Sequence, residues 1–129
     1  QPKPMPHALV KAQKAKTKAR LEKDFRAAVW ARDRGMSRAS RTPLRHSGTS
    51  WKTVGEVHHQ LKRSTHPEDR LNPSNGILLS KQEHSLAETR CPHDPAYHLL
   101  DIDGPDNLAR TQIFIWRDIT GKELQRRVG

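Results

Sequence analysis

The chain has 129 residues, of which 24 are Lys or Arg and 14 are Asp or Glu, giving a formal net charge of +10 with histidine neutral. Hydrophobic residues make up only 33% and aromatic residues 5%, so a single small domain with a modest core and a tail is the simplest arrangement. The charge excess points to a polyanionic partner, nucleic acid ahead of an anionic membrane, and no apolar run of about 18 residues is present to span a bilayer.

The single cysteine, Cys91, excludes an internal disulfide and fits a reducing compartment, so a cytoplasmic location is expected. The chain opens on Gln1 without an apolar stretch of the signal-peptide kind. A domain cut from a longer polypeptide or complex fits that start.

Residues 1–7, QPKPMPH, are proline-rich and read as extended. From about Ala8 to Arg34 strong helix formers dominate. Leu21, Phe25, Ala28, Val29 and Arg32 recur at helical spacing, which predicts a buried face for the second half of this helix. The first half, VKAQKAKTKAR, has no such stripe and reads either as a solvated helix or as a flexible basic arm. Residues 1–20 are therefore set apart as an arm or linker from a domain over 21–129. Arg26 and Arg32 are expected to partner Asp24 and Asp33, and Gly35 is a natural helix stop.

Residues 36–53 read as irregular. A short strand over Glu56–His59 comes next, then a charged, turn-rich loop over 60–75 and a second strand over Ile77–Leu79. Ser80 and Glu83 have the spacing of a capping box, which predicts a helix from about Lys81 to Thr89, ended by Pro92 and Pro95. From Thr111 to Val128 the pattern predicts a β-hairpin turning at DITGK. The fold class expected is α+β.

The chemistry concentrates between Gly55 and Glu88. GEVHH ends on the adjacent pair His58 and His59, Asn75 sits in the loop beyond, and His84 opens the short helix. Metal-assisted hydrolysis needs imidazoles to hold a Lewis acid, a free imidazole to activate water, and a polar group to fix the loop between them. Side chains alternate along a strand, so one histidine of the pair can bind metal while its neighbour stays unligated. A free imidazole titrates near about 6.5 and is mostly neutral above pH 7, as a base must be. His7, His46, His66 and His98 read as surface or packing residues. Cys91, His93 and His98 offer a second zinc site with no regularly spaced fourth ligand.

The double His, Asn75, the segment NGILLSKQEH and the upstream FRAAVWARDRG together resemble the HNH nucleases, over roughly residues 25–90. The resemblance implies a ββα-metal (His-Me finger) core, here with a long N-terminal helix and a C-terminal hairpin. It implies His58 and His84 as metal ligands, His59 as general base and Asn75 as the loop clip. Some members place a third ligand where Glu88 stands. The activity implied is divalent-metal-dependent cleavage of DNA, nicking or cutting both strands and leaving 5′-phosphate ends.

Two imidazoles favour zinc, nickel, cobalt or manganese, and Glu88 with substrate phosphate keeps magnesium workable. Many relatives also hold a structural zinc through two Cys pairs. The matching positions here are Ser37, Ser40, Ser80 and Glu83, so no structural zinc is expected. Lys62, Arg63 and Arg70, on the loop before Asn75, are candidate backbone-phosphate contacts. Two alternatives stay open: a catalytically silent nucleic-acid-binding module, and a structural component of a larger assembly. RNA stays open as a substrate.

Overall fold

The computed structural model describes residues 6–88, 96–104 and 112–129. Helix α1, His7–Arg32, begins at Pro6, whose carbonyl accepts from the Leu9 and Val10 amides at 3.0 and 3.1 Å. It runs unbroken through residue 20, so the basic segment is a solvated helix, continuous with the half that packs on the body. The chain then turns through the left-handed region at Arg34 (φ 57°) and Gly35 (φ 66°), and the Gly35 amide reaches back to the Trp30 carbonyl at 3.0 Å. This is the stop expected from Gly35.

The buried face of α1 is narrower than its apolar spacing predicts. Phe25 and Val29 are buried, whereas Leu21 is 45% exposed and Ala28 is also exposed. The surface beneath α1 is mainly a two-stranded hairpin and its connecting loop, which cover one line of side chains rather than a broad stripe. Polar clasps complete the docking. The buried Asp33 carboxylate accepts from Arg32 at 2.9 Å, from Arg38 at 3.2 Å and from the Leu78 amide at 3.0 Å. Arg32 also donates to the Pro73 carbonyl at 2.6 Å and to that of Gly76. Asp24 faces Arg20 at 3.9 Å instead of the expected Arg26.

Strands β1, Gly55–His59, and β2, Gly76–Ser80, pair antiparallel, with His58 opposite Ile77 and His59 opposite Gly76. All five residues of β2 are buried. Alternation explains why. Ile77 and Leu79 enter a cluster with Leu86, Leu100, Phe114 and Trp116, while Leu78 points the other way, to Phe25 and Val29. Gly76 is demanded by this packing, since a Cβ there would sit 2.6 Å from Val29 Cγ2 and 2.9 Å from Phe25 Cζ. The loop between the strands carries two short 3-10 turns, Pro67–Asp69 and Pro73–Asn75.

Helix α2, Lys81–Glu88, succeeds β2 directly. The expected capping box is formed, with the Glu83 amide donating to Ser80 Oγ at 3.1 Å and the Ser80 amide to Glu83 Oε1 at 2.9 Å. Ser37 Oγ donates to the same carboxylate oxygen at 2.7 Å, tying the irregular segment to the start of α2.

The C-terminal hairpin is present as β4, Ile113–Arg117, and β5, Glu123–Val128. A strand absent from the sequence expectation, β3, Leu99–Asp103, adds to it, giving an antiparallel sheet in the order β3-β4-β5. Among the described residues the architecture is α+β, two α-helices with two small antiparallel sheets. No helix among the described residues is long and apolar enough to cross a membrane. Of the extended start expected over 1–7, His7 is instead the first residue of α1, because Pro6 caps the helix, and 1–5 lie outside the described residues, as do the helix end at Thr89, the stops at Pro92 and Pro95, and Cys91 and His93.

Candidate metal centre and its flanking cleft

β1 and α2 bring the sequence-distant candidates together. His58, only 9% exposed, points from β1 toward α2, and its ring lies edge-on to that of His84 with centroids 5.4 Å apart. Glu88, one turn beyond His84 on α2, places Oε1 at 3.1 Å from His58 Nδ1 and 3.3 Å from His84 Nε2. One donor atom from each of His58, His84 and Glu88 lies within 4.8 Å of the others.

Such a group could hold a cation. With metal–ligand bonds of about 2.1 Å, neighbouring ligand atoms in tetrahedral or octahedral arrangements stand about 3.0–3.4 Å apart. The two carboxylate–imidazole distances fall in that range. Burial, the neighbouring His84 and, more weakly, His59 push the His58 imidazole down to about 4 against the opposing pull of Glu88. It is therefore neutral at physiological pH, the form that ligates metal. His84 turns its other ring nitrogen toward Glu56 at 3.6 Å. Carboxylates behind ligating histidines commonly orient the ring. Glu56 was not singled out from sequence, although its place two residues before His58 puts both on one face of β1.

His59 faces the opposite way, as strand alternation requires. Its ring stacks on Phe25 of α1, centroids 5.1 Å apart, and its Nε2 lies 2.9 Å from the Arg70 carbonyl. A carbonyl only accepts, so Nε2 carries the hydrogen and Nδ1 keeps the lone pair. Burial lowers the His59 pKa below its ordinary value, ahead of the opposing hydrogen bond to Arg70.

Asn75, 5% exposed, pins the loop from which the Arg70 carbonyl projects. Its Oδ1 accepts from the Leu61 amide at 2.6 Å, and its Nδ2 donates to the carbonyls of Leu61 at 3.1 Å and Asp69 at 3.2 Å. It makes no direct bond to His59. The path from Asn75 to the His59 ring runs through the backbone of residues 69–70.

A cleft of about 280 Å³ opens between α1 and this loop, lined among others by Arg26, His59, Arg63, Arg70, His84 and Glu88. Of the expected phosphate contacts, Arg63 lines the cleft and is exposed. Lys62 lines a second hollow of about 240 Å³, with His58, His59 and Glu88. Arg70 reaches the cleft, but its guanidinium is engaged with Glu22 of α1 at 2.9 Å. Arg26, read from sequence as a surface partner, lines the cleft from the helix side.

No family model, curated protein or solved structure matches the chain.

Proposed function

We propose that this protein is a divalent-metal-dependent endonuclease of the HNH type, hydrolysing phosphodiester bonds in DNA. The observation that carries the reading is one juxtaposition. A neutral-favouring imidazole, with its tautomer fixed by the Arg70 carbonyl, shares a cleft with two members of a His58–His84–Glu88 cluster of metal-ligand spacing. The run of β1, β2 and α2 is consistent with a ββα-metal core.

In this reading His59 Nδ1 takes a proton from the attacking water, and the lowered pKa keeps that nitrogen unprotonated at neutral pH. Phe25 and the Arg70 carbonyl hold the ring in place, and Asn75 holds the loop that supplies the carbonyl. His58, His84 and Glu88 would hold the divalent cation, with Glu56 steadying His84. When bound, the cation would supply charge neutralisation at the phosphate. Arg63, Arg26 and Lys62 contact phosphates from the rims of the two hollows.

A plasmid-nicking assay with manganese, nickel or magnesium tests the reading. Parent protein nicks, and His59→Ala loses about 10²- to 10⁴-fold, the usual contribution of a general base. Equal nicking by parent and variant, or none by either, would remove the catalytic reading. The +10 charge also suits a silent nucleic-acid-binding module, for which His59→Ala leaves DNA binding unchanged and parent shows no cleavage.

A further inference from the structure

We infer that the outer half of α1 is a docking rail for the sugar-phosphate backbone of duplex DNA, continuing the cleft outward along the line of Lys11, Lys14 and Lys18. This rests on the nuclease reading for its substrate.

The first support is the phase of the helix. Lys11, Lys18 and Phe25 succeed one another at intervals of seven, and each such step turns the azimuth by only about 20°. Lys14 lies on the same side, three residues from Lys11 and four from Lys18. The face that is apolar where α1 packs, at Phe25 and Val29, is thus lysine where α1 runs clear of the body. Lys18 also precedes Glu22, part of the cleft lining, by one turn on that face. The line from Lys11 to Phe25 is about 21 Å long at 1.5 Å per residue.

A second support is charge. Between His7 and Leu21 the chain has Lys11, Lys14, Lys16, Lys18 and Arg20 and no acidic residue. Like charges three and four residues apart, as in Lys14 and Lys18 or Lys16 and Arg20, repel one another on a helix, so this arrangement does not favour the helix itself. It suits an external polyanion.

A duplex is favoured over a single strand by what the rail lacks. Single-strand grooves combine charge with aromatic stacking platforms, and from Ala8 to Asp24 α1 has no aromatic residue. A row of cations along one continuous helix matches the regular backbone of a duplex, for which affinity falls with salt in proportion to the phosphates neutralised.

The experiment measures binding of the full chain to a duplex of about two helical turns, by fluorescence anisotropy in chelator, between about 50 and 200 mM salt. In the triple variant Lys11→Gln, Lys14→Gln, Lys18→Gln the slope of log affinity against log salt becomes shallower by about 2.7, or 0.9 for each cation. Gln matches Lys in helix propensity, and the corresponding Lys→Arg triple keeps the parental slope. On the opposite side of α1, Lys16→Gln, Arg20→Gln, Lys23→Gln changes the slope by less than about 1. Equal effects from both faces, no effect from the first, or a larger effect on a single strand than on the duplex overturns the rail.

The site itself is read separately, through hydrolysis of bis(4-nitrophenyl) phosphate, which is too small to reach the rail. The Lys→Gln triple hydrolyses it as the parent does. If His59→Ala also matches the parent there, the nuclease reading falls whatever the salt slopes. If His59→Ala is inactive and the salt slopes of parent and Lys→Gln triple coincide, only the rail falls.

Discussion

Replacing Asn75 by Ala removes a clip made entirely of side-chain-to-backbone hydrogen bonds. Three contacts go, to the Leu61 amide, the Leu61 carbonyl and the Asp69 carbonyl. A hydrogen bond contributes about 1 kcal/mol net, and a partner left buried without one costs about 1–3 kcal/mol. Leu61 is 43% exposed, so water reaches part of the vacated site and the lower end of that range applies. The expected total is about 2–3 kcal/mol, which lowers the melting temperature of a domain this size by roughly 10 °C. The effect on chemistry is distinct, because the Arg70 carbonyl that fixes the His59 ring is carried by the same loop. Phosphodiester hydrolysis therefore falls well below the parent at temperatures where both proteins are folded. Metal affinity stays near parental, since His58, His84 and Glu88 sit on β1 and α2. Calorimetric melting, metal titration and diester hydrolysis on parent and variant measure the three effects. An unchanged melting temperature, or a metal affinity that declines in step with activity, would refute the division of roles between loop and cluster.

Two further outcomes concern stability. His58 takes a proton in the unfolded chain near its ordinary pKa of 6.5 but in the folded one only near about 4, so metal-free protein loses stability as pH falls through that interval and gains none from this group above it. The full effect is roughly 3 kcal/mol, and parallel pH–stability curves for parent and His58→Asn in chelator would count against the burial that causes it. Gly76→Ala forces a Cβ against Val29 and Phe25, and should cost about 1–3 kcal/mol in denaturant melts; a neutral substitution would mean that α1 sits farther from β2.

Local signals in the sequence carried further than long-range ones. The capping box at Ser80 and Glu83, the stop at Gly35 and the opposed faces of His58 and His59 each depend on residues a few positions apart. Strand β3 alternates Leu100 and Ile102 with Asp101 and Asp103, a local signal that the sequence expectation did not include. The stacking of Phe25 on His59 and the pairing of Arg70 with Glu22 join residues 34 and 48 positions apart, and no spacing rule announces them. Arg70 shows the difference most clearly. Its charge suggested a phosphate contact, whereas in the fold its guanidinium braces α1 and its carbonyl orients an imidazole.

The single rod that forms α1 works as a wall at one end and as an outrigger at the other. A chain trimmed ahead of Leu21 keeps its interior intact and sheds only the projecting portion. Trimmed past Val29, it uncovers Leu78 and leaves Gly76 facing water. Tolerance to shortening from the front therefore changes abruptly, within about two helical turns.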